Sequence, residues 1–365
     1  MEVIVVLSLA AWFYLFFSHG YFWRSVPENT ASLPSEFPDV DIIIPARDEA
    51  QTILAVIGSL RRQDYPGRFR IVLIDDSSSD NTAELAGRGP NLEVISIRDK
   101  PAGWSGKLWA LSRGVAVSTA PLLLFTDADI LHAPGHLSAL VAKLLESRSL
   151  MVSEMVRLNC VSLAERTLVP AFVYFFQMLY PFSKVNDPHS GVAAAAGGTV
   201  LIHREALNRI GGIEAIKNTL IDDVALAKAV KKVGAIYLGH STLATSIRPY
   251  PGFSDLWNMI SRTAFTQLRY SVILLVVTVI GLTLVWIVPV GAILFGHGWT
   301  RVAGLAAYCL AVASFIPTLI RYQRRKLWSL LLPLIAIFYM AATVNSALNR
   351  WTGSGTEWKN RAYHE

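Results

Sequence analysis

The sequence feature that most constrains the fold is a long apolar run without a charged residue, SVILLVVTVIGLTLVWIVPVGAILF, from Ser271 to Phe295. A helix needs roughly 20 apolar residues to cross the hydrocarbon core of a bilayer, so this run predicts a membrane span. Two further apolar runs, at 302–320 and 327–348, predict two more spans, and Asn345 is the main polar residue of the last one. The alternative is a set of buried helices in a soluble core, which the length of the runs makes the weaker interpretation.

The composition supports membrane segments joined to a globular domain. Hydrophobic residues make up 53% of the 365 residues and the mean hydropathy is +0.41, which is high for an ordinary soluble domain. The net charge of +6 is modest and lies largely beside the apolar runs, so it indicates anionic headgroups or an anionic substrate rather than nucleic acid. Cys160 and Cys309 fall in different regions and indicate neither a disulfide framework nor a cysteine-based metal site.

The two ends of the apolar part indicate how the chain is oriented. The N-terminal run VIVVLSLAAWFYLFF has no basic segment before it and no small-x-small cleavage site after it, which predicts an uncleaved membrane anchor. The basic loop RYQRRK, between the third and fourth spans, is expected to be cytoplasmic by the positive-inside tendency. Counting spans from this loop places residues 24–269 in the cytoplasm and the tail outside, although basic residues in the tail favour the opposite side for it.

The segment between the anchor and the C-terminal spans alternates strand and helix patterns. The strand patterns are VDIIIPA, FRIVLIDD, LEVISI and PLLLFTDAD, and helical patterns such as GKLWALSRGVAV lie between them. This alternation predicts an α/β fold with a mostly parallel sheet and right-handed crossovers. Ligands of such sheets lie at the carboxyl ends of the strands, so the chemistry is expected in PARDE, DDSSSD and DAD.

Carboxylates at these strand ends are the first candidates for a binding site. Asp127 and Asp129 are spaced so that both can reach one hard cation such as Mg²⁺ or Mn²⁺. Asp75 and Asp76 end the second strand, where they can accept hydrogen bonds from a ribose or a base. Lys107, near a predicted helix start, can meet a phosphate. For each of them the alternative is a turn former, a helix cap or a solvated surface charge.

Three histidines near these strand ends are left out of the predicted site. His132 and His136 follow the aspartate pair four residues apart, and His240 follows GAIYLG. They are conceivable metal ligands, but a helix that opens at Pro134 favours surface or capping roles for the first two.

In this order and spacing, PARDE, LIDDSSSDNT, SGKLWALSRG and TDAD resemble the nucleotide-sugar half of the family 2 glycosyltransferases, whose fold is of the GT-A type. AAAAGGTVLIHREALNRIGGI and LIDDVALAKAVKKVG resemble the acceptor-side glycine segment and the Glu-Asp motif of that family. The pair here is Asp222-Asp223, so the first position departs conservatively. Further stretches, including PAFVYFFQMLYPFSKVNDP and RPYPGFSDLWNMISRTAFTQLRYS, are similar to the hopanoid-associated, or hopene-associated, membrane glycosyltransferases of bacteria.

The resemblance implies a role for each matching residue. It implies Asp223 as the catalytic base with Asp222 beside it to position the acceptor, and Asp127 and Asp129 as the metal and diphosphate motif. The nucleotide-sugar-binding positions are Pro45, Arg47, Glu49, Asp75, Asp76, Lys107 and Asp127, and the acceptor-side positions are Gly197, Gly198 and Arg269. TQLRY (266–270) matches the (Q/R)xxRW signature of processive synthases poorly, which favours a single transfer.

The function implied by the resemblance is that of a membrane-bound inverting glycosyltransferase of hopanoid biosynthesis. It would use a divalent metal ion, Mn²⁺ or Mg²⁺, and a nucleotide-sugar donor, expected to be UDP-linked, and would act on a hopanoid or isoprenoid lipid. The location implied is the bacterial inner membrane, with the catalytic domain on the cytoplasmic side. A processive polysaccharide synthase and a non-catalytic membrane partner in a lipid-assembly complex stay open as alternatives.

The predicted domain organisation follows from these patterns. An N-terminal transmembrane anchor covers 1–22, and a GT-A domain covers 38–250, with a nucleotide-sugar half at 38–130 and an acceptor half at 131–250. An interfacial amphipathic segment at 251–270, three transmembrane helices within 271–348 and a tail at 349–365 complete the chain. The aromatic-rich stretch from Leu168 to Phe182 is also expected at the membrane boundary, with a buried core helix as the alternative.

Overall fold

The computed structural model describes residues 2–24 and 33–352, together with the backbone of 357–358 and 361–362. The chain divides into two compact units. The sheet unit comprises Val26–Asn159, Lys184–Pro249 and Lys359–Glu365, and the helical unit comprises Met1–Ser25, Cys160–Ser183 and Tyr250–Trp358.

The sheet unit is built on a mixed eight-stranded sheet with the strand order β3-β2-β1-β4-β7-β6-β8-β5. Strands β3, β2, β1 and β4 are parallel, β7 is antiparallel to β4 and β6, β8 is parallel to β6, and β5 is antiparallel to β8. The strands are β1 Val40–Ala46, β2 Phe69–Asp76, β3 Leu92–Ile97, β4 Leu122–Thr126, β5 Ile130–His132, β6 Met151–Arg157, β7 Thr199–His203 and β8 Ile236–Ser246; two short strands, β9 Glu357–Trp358 and β10 Arg361–Ala362, lie in the tail. The four strands predicted from the sequence are β1 to β4.

The helices follow in chain order, and the first lies before the sheet. They are α1 Glu2–Phe17, α2 Ile53–Arg61, α3 Thr82–Ala86, α4 Gly106–Val117, α5 His136–Ser147, α6 Leu163–Leu179, α7 Phe182–Asn186, α8 Arg204–Arg209, α9 Asp222–Lys231, α10 Phe253–Gln267, α11 Val272–Leu282, α12 Val288–Phe295, α13 Trp299–Arg321 and α14 Leu332–Trp351. A π-helical segment, Thr283–Ile287, joins α11 to α12, and 3-10 turns lie at Ile213–Ile216 and Lys326–Leu331.

Strands β1 and β4, in the middle of the sheet, are buried at every position, which explains why they are mostly apolar. Ile42 and Ile44 of β1 pack with Ile53 and Ile57 of α2 in one core cluster. Successive side chains of a strand point to opposite faces, so Ile43 faces α4 on the other side. A Cβ atom added at Gly114 of α4 would lie 2.4 Å from a methyl carbon of Ile43. The absence of a side chain at Gly114 therefore lets α4 lie close against the sheet and bring its first turn to the strand ends.

The helical unit contains three helices that are long and apolar enough to cross a membrane, among the residues that the structure describes. They are Val272–Phe295, Trp299–Arg321 and Lys326–Trp351, with 24, 23 and 26 residues, and they correspond to the three predicted C-terminal spans. The N-terminal helix α1 is apolar but has 16 residues, fewer than a bilayer core needs. Its role as an anchor stays a prediction.

A local irregularity in the first of these long helices binds α1. The π-helical segment changes the hydrogen-bond pattern of the backbone there, and two of its carbonyl groups accept hydrogen bonds from α1 side chains. Ser8 Oγ donates to Leu284 O and Trp12 Nε1 donates to Val285 O, each at 2.7 Å. Because an unsatisfied carbonyl is costly in an apolar environment, these two bonds help to fix α1 within the helical unit.

Helix α6 contains most of the aromatic stretch that was expected at the membrane boundary. The capping box of Ser162 and Glu165 begins the helix, and the middle of α6 is buried within the helical unit. Tyr174 is fully buried and shares a hydrogen bond of 2.7 Å with Ser314 of α13, while Tyr339 of α14 donates to Leu168 O at 2.9 Å. This part of the stretch is a buried helix, the alternative that the sequence left open. Contact with a membrane boundary stays a prediction for its exposed residue, Leu179.

Candidate active site

A pocket in the sheet unit lies where β1 and β4 end and where α4 and α9 begin. One cation and three carboxylates form its polar wall: Lys107, Asp127, Asp222 and Asp223. The other lining residues are mostly apolar or small: Pro45, Leu108, Leu111, Phe125, Thr126, Gly197, Val200, Ile213, Ile216 and Leu226. The position agrees with the rule that ligands of parallel sheets bind at the carboxyl ends of the strands.

Lys107 connects the two sides of this pocket. Its Nζ lies 2.9 Å from Asp127 Oδ1, after β4, and 3.1 Å from Asp222 Oδ2, at the start of α9. Ser105 caps α4 by accepting a hydrogen bond from the backbone N–H of Leu108, which fixes the turn that carries Lys107. Burial lowers the pKa of Lys107, but attraction by Asp127 and Asp222 outweighs it and holds that pKa well above its usual range. The side chain is therefore a fixed positive charge between the predicted donor and acceptor residues.

Asp223 is held by backbone donors and is poised to exchange a proton near neutral pH. Its Oδ2 accepts a hydrogen bond from Gly197 N at 2.8 Å, and its Oδ1 accepts one from Val224 N at 2.7 Å. Burial, and then repulsion by Asp222, raises the pKa of Asp223 to about 7, although Lys107 and the two backbone donors lower it. A carboxylate with this pKa can take up a proton at neutral pH, which is the requirement for a general base.

The two glycines of the AAAAGG segment lie in contact with these charged groups. A Cβ atom on Gly197 would lie 3.2 Å from Asp223 Oδ2 and 3.4 Å from Lys107 Nζ. The carbonyl of Gly198 accepts a hydrogen bond from Thr126 Oγ1 at 2.9 Å and one from Asp127 N at 3.4 Å. The glycine turn thus connects the predicted acceptor side to the DAD turn.

Arg248 is a component of the site to which the sequence analysis assigned no role. It follows β8, and its Nε lies 2.6 Å from Asp129 Oδ2 while Nη2 lies 2.7 Å from Glu49 Oε1. Burial lowers the pKa of Arg248, but Asp129 and Glu49 together hold it above its usual range. The quoted stretch RPYPG contains this arginine, yet nothing local in the sequence pairs it with residues 119 and 199 positions away.

The two aspartates of the DAD turn suit a divalent ion in part. One oxygen of each already bonds to a cation, Lys107 or Arg248; within the described part of the chain, Asp127 Oδ2 and Asp129 Oδ1 make no hydrogen bond. No group of three or more His, Cys, Asp or Glu residues in that part could hold a metal ion. Mg²⁺ commonly uses one or two carboxylates and takes its other ligands from water and substrate phosphates. The donor set therefore fits an ion that binds together with a diphosphate.

The predicted nucleoside-binding residues lie together at the ends of β1 and β2. Arg47 Nη1 donates to the carbonyl of Asp76 at 2.7 Å, and Asp75 Oδ1 accepts from Ser78 N at 3.2 Å. Glu49 is linked to the same loop because its backbone N–H donates to Thr82 Oγ1 at 2.8 Å. The two loops therefore form one hydrogen-bonded ledge, with Asp75 and Asp76 buried at its base.

Both loops of this ledge contain a backbone conformation that is uncommon outside glycine. Asp48 has φ 51° and Ser77 has φ 54°, in the left-handed region. Asp48 Oδ1 compensates by accepting a hydrogen bond of 2.7 Å from Ser79 N. Such conformations persist where the surroundings determine them, and they cluster at binding sites.

Two further predictions have separate outcomes. Arg269 belongs to the helical unit, at the corner between α10 and α11, where it has φ 53°. The pocket lining does not include it, and its acceptor-side role stays a prediction.

The expectation of surface or capping roles for His132 and His136 is wrong. Their exposed fractions are 4% and 0%, because both side chains belong to a hydrogen-bonded chain inside the sheet unit.

Residues 41–211 match the family model of glycosyl transferase family 2. These residues form a family 2 glycosyl transferase domain. The matched range includes the strand-end loops, Lys107, the DAD turn and the glycine pair, whereas Asp222, Asp223 and Arg248 follow it.

The fold of the chain is similar to that of a solved structure over nearly its whole length. The mannosyltransferase PcManGT from Pyrobaculum calidifontis, in complex with GDP-Man and Mn²⁺, has a TM-score of 0.60 and 19% sequence identity, and the match covers 99% of each chain. The predicted GT-A type fold class is thereby confirmed, with a mixed, mostly parallel sheet and apolar helices outside it.

Curated relatives match over a shorter range. The 4,4'-diaponeurosporenoate glycosyltransferase of Staphylococcus haemolyticus is 32% identical over 92 residues, which is 25% of this chain and 24% of that protein. The N-acetylglucosaminyltransferase of Mesorhizobium japonicum is 29% identical over 129 residues, which is 33% of this chain and 29% of that protein. The chain thus spans only about a quarter of the length of the first of these relatives and under a third of the second.

Proposed function

We propose that the chain transfers a sugar from a nucleotide-sugar donor to a lipid-like acceptor in a single displacement that inverts the anomeric configuration. The observation that carries the proposal is the pocket in which Lys107 joins Asp127, at the end of β4, to Asp222, beside Asp223. A transferase that works by one displacement needs a charged grip on the departing diphosphate and a base for the attacking hydroxyl. This pocket holds groups suited to both within a few ångströms.

The donor would lie along the ends of β1, β2 and β4. The ledge formed by Arg47, Glu49, Asp75 and Asp76 would hold the nucleoside, because buried carboxylates can accept hydrogen bonds from ribose and base groups. Lys107, whose ammonium is fixed at the start of α4, would attract the diphosphate. A divalent ion at the DAD turn, when bound, would supply further positive charge to the leaving nucleoside diphosphate.

Asp223 would act as the base. Its pKa of about 7 leaves a large fraction of the carboxylate ionised at neutral pH, while the raised value strengthens its proton affinity. The backbone N–H groups of Gly197 and Val224 hold the carboxylate in one orientation, and Asp222 lies beside it to position the acceptor. No covalent intermediate is required in a single displacement.

A lipid-like acceptor is supported by the helical unit and by one relative. Three helices of the described chain are long and apolar enough to span a membrane, and the name of one relative gives 4,4'-diaponeurosporenoate as the molecule glycosylated. We extend the proposal to a hopanoid or isoprenoid acceptor, a UDP-linked donor and a bacterial inner membrane with the sheet unit on the cytoplasmic side. The domain boundaries predicted from the sequence belong to this proposal as well.

A product screen tests the proposal. The full chain in lipid would be incubated with a panel of nucleotide sugars, Mn²⁺ or Mg²⁺ and a lipid extract of a hopanoid-producing bacterium, followed by mass spectrometry of the lipids. A lipid that gains the mass of one sugar, and only with wild-type protein and not with Asp223→Asn, is the expected result. Glu205→Gln, a change at an exposed carboxylate of α8, is the matched control and should retain activity.

Two other results would favour the alternatives. A long polymer product would favour a processive polysaccharide synthase. A folded chain that binds no nucleotide at millimolar metal concentration would favour a non-catalytic membrane partner.

A further inference from the structure

A chain of four buried polar side chains leads from the interior of the sheet unit to the DAD turn. Thr126 Oγ1 lies 2.9 Å from Gly198 O and 3.0 Å from His132 Nε2. His132 Nδ1 lies 2.7 Å from His136 Nδ1, and His136 Nε2 lies 3.0 Å from Glu154 Oε2. The exposed fractions of Thr126, His132, His136 and Glu154 do not exceed 4%, so none of these contacts depends on solvent.

The number of protons in the chain follows from its four contacts. Each contact is short enough to require one hydrogen between its two heavy atoms. Thr126 supplies one hydrogen and two neutral imidazoles supply one each, which leaves one contact without a hydrogen if Glu154 is ionised. The four contacts therefore need one hydrogen more than these three groups supply.

The direction of the hydrogen bonds follows from the same count. Burial, and then the neighbouring His136, lower the pKa of His132 well below its usual range, so His132 is neutral and carries one N–H. Gly198 O can only accept, so the single hydrogen of the Thr126 hydroxyl lies in that contact. His136 Nδ1–H then donates to His132 Nδ1, and His132 Nε2–H donates to Thr126 Oγ1. The Thr126 hydroxyl is left to donate to Gly198 O, the carbonyl of the glycine turn beside Asp223.

The chain holds the DAD turn from both of its ends. Thr126 is the last residue of β4 and directly precedes Asp127, whereas His132 ends β5, three residues after Asp129. The backbone of His132 is fixed in addition, because its N–H donates to Ser59 Oγ at 3.1 Å. Neither histidine bonds to the pocket carboxylates, so the four linked side chains would act on those carboxylates only through the backbone of the DAD turn.

We propose that Thr126, His132, His136 and Glu154 form a positioning chain that holds the DAD turn and the carbonyl of Gly198 in the arrangement that binds the nucleoside diphosphate of the donor. The inference rests on the proposed function, since it assigns the chain to the same donor site. The decisive link is the N–H at the Nε2 position of His132, because it alone joins the buried histidine pair to Thr126.

Two amide substitutions of His132 separate positioning from stability. Glutamine places an N–H near the Nε2 position of histidine, and asparagine places one near Nδ1 only. Both variants lose the imidazole and should lower the thermal unfolding temperature to a similar extent. Binding of UDP and of GDP, each with Mn²⁺, would be measured by titration calorimetry on the full chain in detergent. We expect about a tenfold loss of affinity in His132→Asn, the range seen when outer groups that orient ligands are removed, and wild-type affinity within about threefold in His132→Gln.

A double-mutant cycle with Thr126→Val tests whether the effect passes through the hydroxyl. If it does, Thr126→Val weakens nucleotide binding by itself, and adding His132→Asn causes no further loss, because coupled residues are non-additive. Asp41→Asn is the matched control for loss of a buried polar group. Asp41 is buried near the start of β1 and bonds to Arg70, Thr119 and Ala120, so this variant should lose stability but keep its nucleotide affinity.

The outcomes distinguish the two proposals. Equal loss of affinity in His132→Asn and His132→Gln, or additive effects in the cycle, would overturn the positioning chain while leaving the proposed function in place. If the wild-type protein binds neither UDP nor GDP, the proposed function is overturned. The donor-site role of the positioning chain is then overturned with it.

Discussion

The substitution Asp222→Asn should move the pH dependence of turnover to lower pH. Asp222 is the residue before the proposed base, and after burial its charge is the largest cause that raises the pKa of Asp223 to about 7. Asparagine keeps the size of the side chain and removes the negative charge. The pKa of Asp223 should therefore fall, and the fraction of ionised base at mildly acidic pH should rise.

The expected size of this shift follows from the charges in the pocket. Two unit charges at roughly 6 Å interact by about 3 kcal/mol at an effective dielectric constant near 20, which corresponds to about two pKa units. Lys107 Nζ lies 3.1 Å from Asp222 Oδ2 and neutralises part of that effect. We therefore expect a downward shift of about one unit in the acidic limb of the kcat profile.

The assay is the pH dependence of kcat between pH 5 and 9 at saturating donor and acceptor. Lys107→Met is the variant of opposite sign, because loss of the ammonium removes an attraction that lowers the pKa of Asp223, so its limb should move upward. The exposed Glu205→Gln variant should leave the limb in place. A limb that stays fixed in Asp222→Asn, or that moves in the same direction in both pocket variants, would refute the assignment of Asp223 as the base.

Three further substitutions test other parts of the site. Arg248→Gln removes the partner shared by Glu49 and Asp129 and should lower the free energy of unfolding by about 1–3 kcal/mol. The expected loss is smaller than for a fully buried pair because the arginine side chain is 35% exposed. Thermal unfolding measures this loss. Gly197→Ala places a methyl group against the base and should lower kcat at least tenfold with a small change in stability, as steady-state kinetics would show. The wild type should lose stability as the pH rises from about 4 to 7, by at most about 4 kcal/mol, because the pKa of Asp223 is higher in the folded state than in the unfolded state. Asp223→Asn should abolish this pH-dependent loss, which unfolding temperature against pH measures.

Two of these variants have a matched control within the chain. Arg248→Lys keeps the charge but cannot bridge two carboxylates with one ammonium, so its stability should lie between those of the wild type and Arg248→Gln. A Cβ atom at Gly191 meets no heavy atom within 4 Å, so Gly191→Ala should change neither kcat nor stability. If Gly191→Ala and Gly197→Ala lower kcat equally, the close approach to Asp223 is not the cause. A pH profile of unfolding temperature that is the same with and without Asp223 would contradict its raised pKa.

The first half of the sheet unit could be predicted well because its signals are local. The strand patterns VDIIIPA and LEVISI and the helical pattern GKLWALSRGVAV coincide in their bounds with β1, β3 and α4. Strand β1 is buried along its whole length and is mostly apolar, whereas β3 lies at the edge of the sheet, is only partly buried and contains Glu93 and Ser96. The rule that links strand ends to ligands then indicated Asp127, and the predicted helix start indicated Lys107 as a phosphate contact.

The second half of the sheet was harder to predict because its pairing is not sequential. Strand β7 pairs with β4 and β6 in antiparallel fashion, and β5 lies at the edge beside β8. Such pairings join residues that are far apart in the chain, and nothing in a single strand specifies its partner. Arg248 escaped prediction for this reason, because it meets Asp129 and Glu49 only after β8 has been placed in the sheet.

The buried histidines show a different limit. A helix that opens near Pro134 correctly suggested where α5 begins, but not which side of that helix faces the core. His136 is fully buried because Glu154 of β6 supplies a partner for its ring nitrogen, and that partner lies 18 residues further along the chain. Without the partner, a buried histidine is unfavourable and a surface position is the reasonable expectation. The hydrogen bond belongs to the pair, so neither residue alone indicates it, and this bond explains how polar side chains can be buried behind the DAD turn.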